Sequence, residues 1–547
     1  MTSGAMARWG LPALGLVTVA ALLIRLVRLD PGVLSSHEGV RAMAAWQLAQ
    51  GRAPDWWEAP SLIVMTAAGF VALSDTETAA RLLPAFAGAG CIAALALFRG
   101  WFGWWPVLVA GVLLALSPSG LLLSRSVAED APAALATLLL GWALVRYRDG
   151  GLPVWAALGL GVPLHLGFAG VTGVIALLLF VVVWTTLLPK AAGRPAWLGD
   201  GQRLLFLLVA VFVLVGTGFL LHPAGFGFPS LTAWARHLEP AMGTGSHSWL
   251  AMLGYEAPAL LLGLPAAAIA LWRWPRDPVD PSATVAGFFA IWGVLGLGLL
   301  LLEGQGSPPS VFAAALPLTV LAGKLMGDHL GQVEHETWLR FLGGLPAVAA
   351  CLVFAGLNLL KVPDAGTGSA WLAAAGCVVA IGFLAVLARS APQPASLLTL
   401  MGLAGVFVLQ VHGDAKLAAP WLGTFSGHDL LTGRVRETVH LVPYTVSGQA
   451  FTASVQADLR PLLAWHLRGI PGVAYTPQVG RGPQLVIGEL PAGTDFGNYS
   501  RRDLPAFEGW TPVDWGPQDA VRWLAAATVP GRSWVTPRVS MLVQVRI

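Results

Sequence analysis

Runs of 17–25 apolar residues recur along most of this chain, and that one feature narrows its folding choices more than any other. A helix in a lipid bilayer satisfies its backbone hydrogen bonds internally and leaves its side chains to the hydrocarbon, so such runs predict membrane spans. They lie near 10–29, 79–98, 105–123, 131–147, 153–169, 171–188, 204–221, 249–272, 285–302, 311–327, 341–360, 371–388 and 395–411. Hydrophobic residues fill 56% of the 547 positions and charged ones only 11%, well under the roughly 25% charged residues of soluble domains. The expected fold is an all-α polytopic membrane bundle of about 13 transmembrane helices plus interfacial helices. The first run follows Arg8 without a small-residue cleavage site after it, which predicts a retained helix.

The apolar run 61–73 is too short to span and is expected to lie in the membrane interface. Positive charge tests that choice. With the N-terminus inside, the inner loops carry Arg99, Arg146, Arg148, Lys190, Arg194, Arg203, Arg273, Arg276, Arg340 and Arg389, whereas the outer connections 168–172 and 303–310 carry no Lys or Arg and 361–370 carries only Lys361. That asymmetry follows the positive-inside rule. It puts the N-terminus in the cytoplasm and leaves 30–78, 222–248 and 412–547 outside.

The chain therefore divides into a transmembrane part, 1–411, and a C-terminal extracytoplasmic part, 412–547. In the latter, strand-like runs at Val435–Val442, Gln484–Leu490 and Ser540–Ile547 alternate with helical stretches near Ala453–Arg468 and Pro517–Ala527, predicting a small α/β domain. Net charge is only +3, which gives no field for nucleic acid. Cys91, Cys351 and Cys377 all sit in apolar stretches, as packing residues rather than disulfide or zinc partners. No Walker loop or dinucleotide fingerprint occurs in a strand–loop–helix setting.

Ionisable groups at the membrane boundary are costly and mark candidate sites. Ser36-His37-Glu38-Gly39 follows the first span, with Arg41 one turn on. His37 and Glu38 read either as a general base and its partner or as the capped, acidic start of a helix. Ser124-Arg125-Ser126-Val127-Ala128-Glu129-Asp130 reads either as a plain loop or as a site where Arg125 grips a phosphate and Glu129 or Asp130 meets a metal or an acceptor. Arg81 offers a second phosphate contact or a snorkelling side chain. The 222–248 segment supplies His222, Arg236, His237, Glu239 and His247, whose spacing is wrong for zinc, and Glu256 follows at Tyr255-Glu256 inside a span, where it should face the bundle interior.

The order of these pieces resembles the GT-C superfamily of membrane glycosyltransferases, which includes the protein O-mannosyltransferases and the lipid A aminoarabinose transferases. Within it, the likeness is greatest to the flippase-associated family related to dolichyl-phosphate-mannose–protein mannosyltransferases. The matching segments are Leu34 to Ala42, Ala80-Arg81-Leu82-Leu83-Pro84, Ser124-Arg125 with Asp130, Ser248-Trp249 with Tyr255-Glu256, Ala315-Leu316-Pro317-Leu318, and Leu463-Ala464-Trp465-His466-Leu467-Arg468. His37 stands where the family has the first acid of an acidic pair.

The resemblance implies a glycosyltransferase that takes a sugar from a polyprenyl-phosphate donor on the extracytoplasmic face and passes it to a glycan, lipid or protein acceptor. It implies His37 and Glu38 as catalytic residues and Arg81, Arg125, Asp130, Arg236 and Glu256 as substrate-binding ones. It names no certain cofactor and leaves a divalent cation open. Two rivals remain: a transporter-like or flippase-associated protein, and a catalytically inactive scaffold of the same fold.

Overall fold

The apolar runs among the described residues fold as helices in the computed structural model of the chain, because a helix lets each run close its own backbone hydrogen bonds. The structure describes residues 3–27, 34, 36–55, 57, 59–146, 167–187, 201–221, 252, 256–303, 308–333 and scattered positions from 337 to 438. In the C-terminal part it describes 445–446, 449–450, 452–468, 470, 472–479, 483–490, 498–505, 508–511, 532–535 and 538–544.

The helices run α1 (Ser3–Leu26), α2 (Ser36–Ala49), α3 (Pro60–Ala72), α4 (Glu77–Ala94), α5 (Arg99–Phe102), α6 (Trp104–Ala115), α7 (Pro118–Ser124) and α8 (Asp130–Arg146). They continue with α9 (Gly167–Leu187), α10 (Gly201–Gly216), α11 (Leu264–Arg273), α12 (Pro281–Glu303) and α13 (Pro308–Leu330). Among the described residues, five helical stretches are long and apolar enough to cross a membrane: Arg8–Leu26, Glu77–Phe102, Ala169–Thr186, Pro281–Leu302 and Pro309–Leu330. These five do not reach the expected total of about 13 spans. The expected spans at 153–169, 341–360 and 395–411 fall almost wholly outside the described residues, and 371–388 is helical at those of its positions that are described.

The run expected as one straight span over 105–123 is two helices, α6 and α7, bent by 63°. Ser117 and Pro118 cause the break. Proline at the first position of α7 has no N–H to continue α6, and Ser117 Oγ caps the new start by accepting from Gly120 N at 3.2 Å. With the bend counted as one span, the described residues hold up to 6 crossings. The short run expected over 61–73 is helix α3.

α13 is the most buried of the spans and α1 the least. Gly323 lets α13 approach α6 closely: a Cβ there would lie 2.5 Å from Ala110 Cα. Small residues at such crossings gain dispersion where lipid offers no hydrophobic drive. An aromatic cluster fills the core, with Phe180 stacked on Trp184 and Trp274, and Phe288 and Phe289 packed on Trp292.

In the C-terminal part, β1 (Thr445–Val446) pairs with β2 (Gln449–Ala450). Then come β3 (Thr452–Gln456), α14 (Arg460–Leu467), β4 (Gly472–Thr476), β5 (Leu485–Gly488), β6 (Tyr499–Pro505), β7 (Glu508–Thr511), β8 (Arg532–Val535) and β9 (Arg538–Gln544). The five-stranded sheet has the order β4-β3-β5-β9-β6. β3 is parallel to β4 and β5, and β9 is antiparallel to β5 and β6. The β3–α14–β4 unit is the crossover that parallel neighbours require.

The strands expected at 484–490 and 540–547 correspond to β5 and β9. Two other expectations need correction. The helix expected over Ala453–Arg468 begins only at Arg460, because Ala453–Val455 pair on both sides with β4 and β5 and the sheet outweighs local helix preference. The strand expected over Val435–Val442 is helical at its described residues, Val435 and Thr438. Val435 is fully buried in the sheet's core, and Thr438 Oγ1 meets Met541 Sδ at 3.8 Å. The helix expected at 517–527 lies outside the described residues.

Candidate active site

Helix α2 begins at Ser36, so Glu38 falls in its first turn, where the positive end of the helix favours a carboxylate. The Glu38 side chain points away from water and is held at both oxygens. Arg81 Nε donates to Oε1 at 3.0 Å and Arg81 Nη2 to Oε2 at 3.2 Å, while the Val127 N–H donates to Oε1 at 2.9 Å. Glu38 and Arg81 are both buried, at 8% and 6% exposure. A charge this deep persists only when paired and hydrogen-bonded, which this one is.

One turn further along α2, Arg41 meets the same turn of chain. Its Nη1 donates to Val127 O at 3.0 Å and its Nη2 to Glu129 Oε1 at 2.9 Å. Residues three apart share a helix face. Glu38 and Arg41 therefore take the N–H and the carbonyl of the one residue Val127, and α2 grips the connection between α7 and α8 at two points. Glu129 Oε2 and Arg41 Nε are buried without hydrogen-bond partners.

Asp130 opens α8 and is buried. Its Oδ1 accepts from the Ala169 N–H at the start of α9, at 3.1 Å. Gly167 is required there on two counts: its φ is +63°, and a Cβ would stand 2.6 Å from Asp130 Oδ1 and 2.7 Å from Glu129 Cγ. Arg125 caps the C-terminal end of α7 and donates to Val27 O, at the end of α1, at 3.2 Å. Burial, then the positive charge of Arg81, makes Arg125 a weaker base than an ordinary arginine. Two guanidiniums within electrostatic reach of each other favour an anion as neighbour.

Of the residues singled out in the sequence, Glu38, Arg81, Arg125 and Asp130 thus gather around the 125–130 turn, joined by Arg41 and Glu129. Glu256 stands elsewhere, at the opposite end of α7. Fully buried, its Oε1 accepts from Ser117 Oγ at 2.7 Å, Ser119 N at 2.9 Å and Ser119 Oγ at 2.6 Å. Seven helical residues rise about 10 Å, which is the scale of the gap between this carboxylate and Arg125. His37 is the second residue of α2, and its side chain lies outside the described set, as does Arg236 entirely. Sequence reasoning missed the backbone of Val127, which no side-chain pattern could reveal.

Among the described residues, no group of three or more His, Cys, Asp or Glu side chains is placed to hold a metal ion. Glu129 and Asp130 are two carboxylates, short of the six oxygens a hard divalent cation collects. By themselves the described residues do not form a cation site.

No protein-family model matches the sequence, and no curated protein matches it. Among solved structures, the chain is similar to ArnT from Cupriavidus metallidurans bound to undecaprenyl phosphate, with a TM-score of 0.51 and 18% identity over 96% of this chain and 97% of that one. The apo state of ArnT gives a TM-score of 0.50 and 17% identity over 98% of each chain. The archaeal oligosaccharyltransferase AglB from Archaeoglobus fulgidus, in complex with an inhibitory peptide and a dolichol-phosphate, is a more distant likeness, at a TM-score of 0.47, 13% identity and coverage of 84% of this chain and 63% of its own. What the two ArnT structures share with this protein, over nearly the whole of each chain, is its architecture: the chain has the GT-C fold.

Proposed function

We propose that the protein is a membrane glycosyltransferase that takes a sugar from a polyprenyl-phosphate donor and passes it to an acceptor on the extracytoplasmic face. The observation that carries this reading is the cluster of buried Glu38 and Arg81 and part-buried Arg41 and Glu129 around Val127, with Arg125 and buried Asp130 beside it. A bundle with no chemistry to perform gains little from burying so many charges at one end. The ArnT neighbour at a TM-score of 0.51 was solved with undecaprenyl phosphate, which makes that lipid the natural carrier to test.

In such a transfer the bond between the anomeric carbon and the phosphate oxygen breaks, and an acceptor oxygen bonds to that carbon. The acceptor's proton passes to a base, and the polyprenyl phosphate departs as an anion. Glu38, with His37 next to it, is our candidate base. Arg125, with Arg81 behind it, supplies fixed positive charge for the departing phosphate. Asp130 and Glu129 would orient the acceptor.

We further assign the N-terminus to the cytoplasm and residues 412–547 to an extracytoplasmic domain. The charge pattern supports that sidedness, and so does the packing of α14 against α2, which keeps the sheet's helix at the same end of the bundle as Glu38.

A second reading, a catalytically inactive scaffold of this fold, draws support from one observation: both Glu38 oxygens already accept hydrogen bonds. Purified full-length protein in lipid nanodiscs, given a panel of undecaprenyl-phosphate sugars, separates the two. The transferase releases undecaprenyl phosphate from one of them and loses that release in Glu38→Ala. A Glu38→Ala protein as active as the parent would remove Glu38 from the chemistry.

A further inference from the structure

Asp55 and Asp75 each bind α2 and α14 at once. Gln47 Nε2, on α2, donates to Asp55 Oδ2 at 2.8 Å, and Arg460 Nη2, at the start of α14, donates to the same oxygen at 2.7 Å. Trp46 Nε1, also on α2, donates to Asp75 Oδ2 at 3.0 Å, and Arg468 Nη2, just past α14, donates to Asp75 O at 2.9 Å. Two consecutive residues of α2 thus reach two aspartates that are also gripped by the arginines at either end of α14.

Between those arginines lies Trp465, fully buried in the cluster that contains Ala42, Ala45, Phe70 and Val127. Its ring stacks on Phe70 with centroids 5.8 Å apart, and the Arg468 guanidinium covers it at 3.6 Å. A Cβ at Gly39 would sit 3.6 Å from Trp465 Cβ, so the backbone one residue after Glu38 rests on the tryptophan. The indole N–H has no hydrogen-bond partner, so Trp465 contributes ring area rather than a polar contact. The Arg460 and Asp55 side chains are 44% and 35% exposed, and pairs of that kind are weak in water. The buried ring therefore dominates the hold, and the aspartate staples set its register.

We propose that α14 is a positioning element of the candidate active site: Trp465, held in register by the Asp55 and Asp75 staples, backs α2 at Gly39 and fixes where Glu38 stands against Arg81 and Val127. Its effect on catalysis rests on the transferase reading. The hold on α2 does not.

Hydrogen exchange on the full-length protein in nanodiscs tests the hold directly. Trp465→Ala should speed exchange of the amides from Gly39 to Ala45 by about tenfold or more while those of α12 and α13 are unchanged, and Trp465→Phe should match the parent. If Trp465→Ala does not fold, the double variant Arg460→Ala with Arg468→Ala should move the same amides in the same direction. Faster exchange within α14 alone, with Gly39 to Ala45 unchanged, would overturn the proposal. With an undecaprenyl-phosphate sugar as donor, Trp465→Ala should lower kcat with KM within about twofold, and Trp465→Phe should restore it. A parent protein that turns over no such lipid defeats the transferase reading, and the exchange result still decides the hold.

Discussion

Glu38 and Arg81, 43 positions apart in the chain, meet in a buried two-point ion pair whose Oε1 also takes the Val127 N–H. The pair joins the start of α2 to α4 and to the turn between α7 and α8, so three elements depend on one carboxylate.

Removing one partner should be worse than removing both. Arg81→Ala leaves a buried carboxylate without its cation, at a cost of about 3–5 kcal/mol, whereas replacing both residues by leucine recovers most of that loss. Chemical unfolding in micelles of Glu38→Leu, Arg81→Leu and the double leucine variant measures the coupling. Strictly additive effects would contradict the pairing.

Glu256 makes a different bargain. Its Oε1 satisfies Ser117 Oγ and the N–H and hydroxyl of Ser119 at the bend between α6 and α7. Glu256→Ala leaves those donors buried and empty, and should cost about 1–3 kcal/mol for each one stranded, while Glu256→Gln keeps an acceptor oxygen and should cost less. Thermal unfolding of the two variants distinguishes them, with Glu256→Ala expected to melt lower.

Gly323 tests the helix crossing. With a Cβ only 2.5 Å from Ala110 Cα, Gly323→Leu must push α6 and α13 apart and should destabilise by at least the 1–3 kcal/mol typical of overpacked cores. Gly298, where nothing lies within 4 Å of an added Cβ, is the control: Gly298→Leu should change stability little.

Tyr475 gives the sheet an alkaline limit. Burial raises its phenol from 10.0 to about 12, against the lowering influence of Arg460, whose guanidinium lies 5.5 Å from the ring centroid. A group with a raised folded pKa contributes its full stability below the unfolded value and loses it as pH climbs through the folded one. The C-terminal sheet should therefore weaken between about pH 10 and 12, and Tyr475→Phe should abolish that part of the pH dependence in an alkaline titration.

Hydrophobic run length made the membrane helices legible, since α1, α4, α9, α12 and α13 follow directly from it. The bend at Ser117-Pro118 was written in the sequence as a capping serine before a proline, yet the unbroken apolarity on both sides hid it. The site was half legible. Glu38, Arg81, Arg125 and Asp130 stand out because charges are scarce near spans, but their hydrogen bonds cross 39 to 98 positions and no local pattern encodes them. The strand Thr452–Gln456 was hidden for a related reason, because its partners β4 and β5 lie downstream and a helix-compatible run became a strand only through them. Trp465 carried a motif likeness, and only the fold shows that it lies beneath Gly39.

Arg125 should matter to lipid phosphate more than to stability. Losing a hydrogen bond to a charged partner costs about 1.5–3 kcal/mol, so Arg125→Ala should weaken undecaprenyl phosphate binding roughly ten- to hundredfold, with Arg125→Lys in between. Titration of the lipid into nanodiscs reads this out. Equal affinity in all three proteins would remove Arg125 from the phosphate site.

A cryo-EM map of the full-length protein with undecaprenyl phosphate bears most directly on the account. The phosphate should stand at the 125–130 turn, within hydrogen-bond distance of the Arg125 guanidinium and on the same side of the bundle as Glu38 and α14. Headgroup density at the far end of the bundle, beside Arg99 and Lys324, would contradict it.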